Sequence, residues 1–369
     1  MKKMPRWLKL LLFLLAFYFI VLRPIPFFIE RPGSAFGLDE MVVIDGETKD
    51  NPGEFYITTV GIQQATPLTT LMGFLPYHDI LTENQLFGDV SDFEEYDVIQ
   101  QYYMNSSSNT AIQVAFEAAE EDYELVYNGV YVLQVIEESD FLGRLKVGDT
   151  VKAVDQNHFQ SSQEFINYIS QLEVGSTVEI EFEREGEMKT ASGELIQLES
   201  GLSGIGIGLV DNTRLETTPE VIIESGNIGG PSAGLMFSLH IYNEITQSDL
   251  LGNLKIAGTG TIAPDGTVGR IGGIAKKVVA ADEEGATYFF APDDELPAEV
   301  IELYPEMRSN YEEAVEAAKD IETDMQVIPI KTFNDALDFL NSLELQDVAH
   351  YNQDLLVGVN PFITGQIAA

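Results

Sequence analysis

The sequence predicts an α/β protein behind an N-terminal membrane anchor, and three observations lead to this fold class. An apolar run at residues 10–22 follows a basic start. Between residues 123 and 198, strands bounded by glycine turns and one helix follow each other in order. From residue 201 onward, short runs of β-forming residues alternate with apolar helical stretches, as is typical of α/β domains.

The composition is that of folded protein with an acidic surface. The 369 residues are 45% hydrophobic and include no cysteine, which excludes disulfides, zinc–thiolate sites and cysteine nucleophiles. Acidic residues outnumber basic ones 60 to 20, giving a formal net charge of −40. Nucleic acid would be repelled by this surface. Two alternatives account for the acidic charge. The surface is suited to salt or alkaline surroundings, or it attracts cationic peptides.

Residues 1–29 are predicted to form a cytoplasmic start and a single-pass transmembrane helix. Only basic residues precede the apolar run: Lys2, Lys3, Arg6 and Lys9. This bias places the N-terminus in the cytoplasm and the rest of the chain outside the cell. A cleaved signal peptide is the alternative, but the bulky stretch 21–24 offers no small-residue cleavage site.

Residues 30–120 form an extracellular segment with few clear signals. A strand is predicted at 54–60, where β-forming residues lie between glycine turns. Apolar residues at helical spacing predict a helix at 109–119 with Ser108 as its N-cap. Residues 62–107 are polar and irregular, and their sequence does not place the elements within them.

Residues 121–200 are predicted to form a small domain of strands at 130–135, 150–154 and 177–184 with a helix at 162–172. This order, with a Leu-Lys-Val-Gly-Asp turn before the second strand, resembles a PDZ domain. Such domains bind extended peptides by strand addition at a sheet edge. We expect Asn128, Gly129 and Val130 to form a loop whose amides meet a peptide carboxylate.

Residues 201–345 contain the α/β pattern, and 346–369 are predicted to be a tail. The predicted elements are a short buried strand at 221–223, helices at 232–243, 274–284 and 333–343, and strands at 254–263, 288–291 and 327–330.

The motif Gly-Gly-Pro-Ser-Ala-Gly at 229–234 carries the first chemical signal. Glycines before Ser232 permit close approach of a substrate backbone, and a helix N-terminus presents unpaired amides to developing negative charge. We expect the amides of Gly230, Ser232 and Ala233 to form an oxyanion hole. The alternative is a glycine-rich turn whose serine caps a helix.

A lysine supplies the second signal. On the helix predicted at 274–284, Lys277 points toward the core, whereas Lys276 falls on the polar side. Burial disfavours the ammonium, so the amine of Lys277 would be neutral near physiological pH and could accept a proton from Ser232. The hydroxyl of Thr259 could orient this amine. The alternatives are that Lys277 is an ordinary exposed lysine, and that Thr259 is present only because β-branched residues favour strands.

Together these motifs resemble the proteolytic domain of Lon-type proteases. The anchor, the Glu-Arg-Pro-Gly-Ser-Ala run at 30–35, the PDZ-like region and the serine motif resemble the SepM/YlbL group of PDZ-containing Lon-like peptidases of Gram-positive bacteria. The resemblance implies an α/β (α+β) Lon-type domain with an inserted PDZ-like domain and an N-terminal transmembrane helix. It also implies a Ser232–Lys277 dyad supported by Thr259, and secreted or surface peptides, including signalling peptides, as substrates.

The sequence departs from ATP-fuelled Lon in two respects. It contains no Gly-x4-Gly-Lys-Ser/Thr phosphate loop, so we expect no nucleotide and no other cofactor. The acidic residue usual before Gly-Pro-Ser is Gly229 here.

Two other functions remain open. The serine motif also fits the Gly-x-Ser-x-Gly elbow of α/β-hydrolases, which would need His240 or His350 as its base. A catalytically inert PDZ adaptor is the non-enzymatic reading. His78 and His158 lack metal-ligand spacing, so no metal is expected.

Overall fold

A computed structural model describes residues 5–48, 52–88, 90 and 92–343. The predicted tail and the basic residues at positions 2 and 3 lie outside these ranges. In the described part of the chain, no helix combines the length and the apolar character needed to cross a membrane. The transmembrane helix is therefore not confirmed. The apolar N-terminal residues instead form α1 (Arg6–Phe17) and a π-helical turn (Tyr18–Leu22), and no residue of either is buried.

The N-terminal region continues with strands and two further helices. In chain order these are β1 (Phe27–Gly37), β2 (Val42–Ile44), β3 (Glu54–Gln64), a 3₁₀ helix (Thr69–Phe74), β4 (Asp79–Thr82), α2 (Glu83–Phe87) and α3 (Phe93–Ala118). The predicted strand at 54–60 is confirmed and extends to Gln64.

The middle region, residues 123–217, folds around its own sheet, which we call the second sheet. Its elements are β5 (Tyr123–Val135), β6 (Thr150–Val154), β7 (Asn157–His158), α4 (Ser162–Ser170), β8 (Thr177–Arg184), β9 (Glu187–Glu194), β10 (Ile196–Gln197), β11 (Ser203–Gly204) and β12 (Ile207–Thr217). The strand order is β12-β5-β6-β8-β9, with β7 beside β6. The predicted strands 150–154 and 177–184 are confirmed at both ends.

The C-terminal region alternates strands and helices as predicted. Its elements are β13 (Val221–Ile223), α5 (Gly234–Thr246), β14 (Lys255–Gly258), β15 (Thr261–Ile262), β16 (Val268–Gly269), α6 (Ile274–Glu284), β17 (Tyr288–Pro292), α7 (Ala298–Leu303), α8 (Asn310–Asp320), β18 (Gln326–Ile330) and α9 (333–343). The predicted bounds of α6 are confirmed, and α9 begins at residue 333 as predicted.

The main sheet has the order β18-β17-β14-β3-β1-β4. Strands β3, β14, β17 and β18 run parallel, whereas β1 is antiparallel to both β3 and β4. Strands from both sides of the middle region thus share one sheet. Successive side chains of a strand point to opposite faces. Accordingly Phe55 and Ile57 of β3 pack in a core with α3 and α5, whereas Tyr56 packs in a second core with α6 and α8.

Besides the start of α5, at Gly234 rather than residue 232, four sequence predictions of local structure were wrong. The helix predicted at 109–119 begins at Phe93, where Asp92 caps it, and Ser108 lies buried within it rather than at its start. The strand predicted at 254–263 breaks after Gly258, because Gly260 turns the chain and its amide donates to the Ser232 carbonyl at 2.8 Å.

The other two corrections concern strands. The strand 221–223 is half exposed rather than buried, because it pairs only with β2 in a two-stranded sheet. Asn128, Gly129 and Val130 lie inside β5 rather than in a loop, and Val130 pairs with Val151 of β6. Gly129 has φ +137°, and a Cβ there would lie 2.4 Å from the Val151 carbonyl oxygen. Glycine at this position therefore allows β5 and β6 to approach each other closely.

Candidate active site

Ser232 lies in the turn between β13 and α5, and two hydrogen bonds hold its backbone. Its carbonyl accepts from the amide of Gly260 at 2.8 Å and from the hydroxyl of Thr259 at 3.0 Å. The side chain is half-buried, next to the exposed Pro231. The helix predicted from residue 232 begins at Gly234 instead. Ser232 therefore precedes the helix and remains reachable from solvent.

Lys277 extends from the first turns of α6 to this serine. Its Nζ lies 2.7 Å from Ser232 Oγ and 3.0 Å from Thr259 Oγ1. The residue is 3% exposed. Burial lowers the pKa of Lys277 from its ordinary 10.5 to about 7, because the ammonium loses its hydration. Half of the molecules would thus hold a neutral amine near pH 7.

Thr259 follows the last residue of β14 and is buried. Its one hydroxyl hydrogen is donated to the Ser232 carbonyl. The oxygen can therefore only accept from Lys277. When Lys277 is neutral, this bond uses an amine N–H and leaves the nitrogen lone pair free to face Ser232 Oγ.

Lys276 differs from its neighbour in charge rather than in burial. The sequence placed it on the polar side of α6, but it is 7% exposed and pairs with Glu30 at 2.8 Å and Asp79 at 2.6 Å. Burial acts to lower the pKa of Lys276, but these two carboxylates outweigh it, so the net pKa is raised. Adjacent buried lysines thus have opposite shifts, because only one has acidic partners.

The backbone amides near Ser232 are not equivalent. The amide of Gly230 donates to the carbonyl of Gln100 at 2.8 Å, so its predicted place in an oxyanion hole was wrong for this conformation. The amides of Ser232 and Ala233 donate to no residue within the described chain. These two amides are the ones that can receive an oxyanion.

Helix α3 holds the serine loop, residues 228–233, and sequence reasoning missed this helix as part of the site. Ser107 Oγ donates to the Pro231 carbonyl at 2.9 Å, and Gln101 Nε2 donates to the Ile228 carbonyl at 3.4 Å. A Cβ at Gly229 would lie 2.7 Å from Cβ of Gln100. This contact leaves no room for a side chain at position 229. The only sequence signal is that residues 100 and 107 share one helical face.

The same helix also contacts the second sheet. Tyr102 stacks on Tyr131 of β5 with ring centroids 4.5 Å apart, and its hydroxyl donates to the Asp211 carbonyl at 2.9 Å. Asn109 Nδ2 donates to the Thr213 carbonyl at 2.8 Å. Strand β12 is the sheet edge, and α3 covers its carbonyls at 211 and 213.

The histidines do not reach Ser232 in the described structure. His240 lies eight residues further along the chain, which corresponds to about 12 Å of helix rise. It is buried against Phe55, with Nδ1 3.7 Å from Asp39 Oδ1. His350 lies outside the described residues. Among the described residues, no group of three acidic or histidine side chains could hold a metal ion.

Two family models match the chain. Residues 221–340, which include Ser232, Thr259 and Lys277, match the Lon protease (S16) C-terminal proteolytic domain. Residues 105–195 match the PDZ domain.

No curated protein matches the chain. Three solved structures that resemble it each cover less than a quarter of it. The PDZ domain of an SdrC-like protein from Listeria monocytogenes is 39% identical over 24% of this chain and 93% of that chain, with a TM-score of 0.23. Its Listeria innocua counterpart is 41% identical over 22% and 93%, with a TM-score of 0.22. A protein from Geobacillus thermodenitrificans is 27% identical over 22% and 94%, with a TM-score of 0.20. By the two family models, the chain contains a PDZ domain and the proteolytic domain of the Lon (S16) proteases.

Proposed function

We propose that this chain is an ATP-independent serine endopeptidase with Ser232 as nucleophile and Lys277 as general base. One observation carries the proposal: a fully buried amine lies 2.7 Å from the serine hydroxyl, and burial lowers its pKa to about 7. A nucleophile, a base with a matched pKa and a third group that orients the base are the parts that acyl transfer requires. The match to the Lon proteolytic domain supports the same reaction.

In the proposed mechanism, neutral Lys277 accepts the Ser232 hydroxyl proton as Oγ bonds to the peptide carbonyl carbon. The amides of Ser232 and Ala233 stabilise the resulting oxyanion. Lys277 then gives its proton to the leaving amine as the C–N bond breaks and the acyl enzyme forms. Water transfers a proton to Lys277 and attacks the ester, and Ser232 recovers its proton when the acid product leaves.

Thr259 would be a positioning residue in this cycle. It contacts the amine of Lys277 and the carbonyl of Ser232, so it aligns base and nucleophile without touching substrate.

The proposed location is the outer face of a Gram-positive cell membrane, with the N-terminal segment as single-pass anchor. The exposed apolar side chains of residues 7–22 support anchoring, and the basic start supports the orientation. The resemblance to the SepM/YlbL group supports both.

Extracellular or surface peptides are the proposed substrates, and the PDZ domain would hold them. Strand β12, which follows the matched residues 105–195, is an edge of the second sheet to which a peptide strand could add. The net charge of −40 favours cationic peptides over acidic ones. The absence of a phosphate-loop motif from this sequence supports cleavage without ATP.

The test uses the full chain and a library of unfolded peptides. Ser232→Ala and Lys277→Ala are each expected to abolish cleavage, whereas Ser225→Ala and the exposed Lys319→Ala retain it. Full activity in either dyad variant would refute the mechanism. An intact protein that binds peptides at the PDZ domain but cleaves none, and resists serine-directed acylating probes, would be an adaptor. Loss of activity in His350→Ala would favour the hydrolase reading.

A further inference from the structure

A loop between β3 and β4 exposes apolar side chains in succession. We define this apolar loop as residues 66–75, which include the 3₁₀ helix Thr69–Phe74. Phe74 is 87% exposed and Leu71 is 58% exposed, and no residue of the 3₁₀ helix is buried. Leu68 and Leu75 are also exposed. Single exposed apolar residues are ordinary, but a continuous exposed cluster marks an interaction surface.

The base of the apolar loop is bonded to the segment that follows α1. The amide of Leu68 donates to the Ile20 carbonyl at 2.9 Å. Just before the loop, Ala65 accepts from the amide of Ile25 at 2.9 Å and donates to the Phe27 carbonyl at 2.8 Å. The loop therefore continues the exposed apolar surface of the N-terminal helix.

The polar groups of the apolar loop are satisfied within it. The amide of Thr66 donates to Thr69 Oγ1 at 2.7 Å, and that hydroxyl donates back to the Thr66 carbonyl at 3.2 Å. Thr70 Oγ1 donates to the Pro67 carbonyl at 2.8 Å. Internal bonding of this kind removes much of the cost of transferring backbone and hydroxyl groups away from water.

The charge pattern points to a lipid rather than a protein partner. Residues 55–78 contain no Asp, Glu, Lys or Arg, although the whole chain carries 60 acidic and 20 basic residues. A charged group placed in hydrocarbon is costly, whereas leucine and phenylalanine are favoured there. The apolar loop thus has the composition of a surface that contacts acyl chains.

We infer that the apolar loop inserts into the lipid surface beside the N-terminal helix, at the boundary of head groups and acyl chains. This inference rests on the proposed anchoring and deepens it. Two points of attachment, the helix and the loop, fix the orientation of the protease on the membrane, whereas a helix alone would leave it free to rotate.

Tryptophan quenching in vesicles tests the inference. Trp7 is the single tryptophan of the chain, so Trp7→Phe gives a silent background. In this background, Phe74→Trp reports on the loop. Met188→Trp is the control, because Met188 is 58% exposed in β9, the strand of the second sheet furthest from α3. The full-length proteins are reconstituted in phosphatidylcholine–phosphatidylglycerol vesicles whose acyl chains carry bromine.

We expect bromine to quench the fluorescence of Phe74→Trp at least about twofold more strongly than that of Met188→Trp. The quenching of Phe74→Trp should be stronger when the bromine lies near the head-group end of the acyl chain. Quenching of the native Trp7 without quenching of Phe74→Trp would overturn the inference and leave the anchor standing. Absence of quenching at both positions would overturn both. An unquenched Phe74→Trp protein that forms dimers would assign the loop to a second copy of the chain instead.

Discussion

Replacing Lys277 by methionine should stabilise the fold, by an amount that falls as the pH rises. Burial lowers the pKa of Lys277 in the folded protein from 10.5 to about 7. Between these values the unfolded chain binds one more proton than the folded chain, so stability rises with pH. At about 1.36 kcal/mol per pKa unit, the buried lysine costs about 4 kcal/mol at pH 7 and about 2 kcal/mol at pH 9.

Methionine has a similar length and no charge, so the variant loses this pH-dependent cost. It also loses the hydrogen bonds to Ser232 and Thr259, worth about 1 kcal/mol each, but that loss does not vary with pH. Between pH 7 and pH 9, the stability advantage of the variant over the native protein should therefore shrink by about 2 kcal/mol. Urea unfolding of both proteins at pH 7, 8 and 9 measures this difference.

Lys276→Met is the matched control. The pKa of Lys276 is raised above 10.5, so its stabilising contribution is fully present below pH 10.5 and is lost only at higher pH. The difference between this variant and the native protein should stay constant from pH 7 to pH 9. If the advantage of Lys277→Met is equally constant, Lys277 is charged in the folded protein, and the argument for a neutral base fails.

Three further outcomes are expected. Peptide cleavage measured as kcat/KM should rise about tenfold per pH unit below pH 7 and level off above it, since only neutral Lys277 accepts a proton; a flat profile contradicts this. Ser107→Ala should lower the free energy of unfolding in urea by about 1 kcal/mol and should lower kcat, because the serine loop loses its hydrogen bond to α3. Replacing the exposed Asn105 by alanine is the control and should change neither quantity. Gly129→Ala should lower the free energy of unfolding by about 2 kcal/mol or more, since the added Cβ would meet the Val151 carbonyl oxygen at a positive φ. Thermal unfolding measures this loss, and an unchanged midpoint would contradict it.

Local sequence patterns were sufficient to predict an element where the spacing of its apolar side chains and the residue that ends it indicate the same structure. Helix α6 has apolar residues at helical spacing, and Gly285 ends it in a left-handed conformation. The position of Lys277 between Ile274 and Ala281 on the helical wheel was enough to predict its burial. The candidate pair of Ser232 and Lys277 was named from the serine motif, the helical position of the lysine and the resemblance to Lon-type proteases, and the two side chains meet at 2.7 Å.

Features that depend on distant partners were not predictable in this way. The polar run in the middle of α3 has low helix propensity, and its helical state depends on packing between the second sheet and the serine loop. Lys276 can be buried because Asp79 and Glu30 pair with it from strands that lie 197 and 246 positions earlier in the chain. The amide of Gly230 is occupied by a carbonyl of α3, which no local motif reveals.

Helix α3 has a consequence for how a cleavage position would be selected. It is bonded to β12 of the second sheet through Asn109 and to the loop that carries Ser232 through Ser107, two positions apart on the helix. Under the proposed function, one helix would therefore hold the peptide-binding sheet and the cleaving serine at a fixed separation, so that cuts fall at a set distance from the bound peptide end.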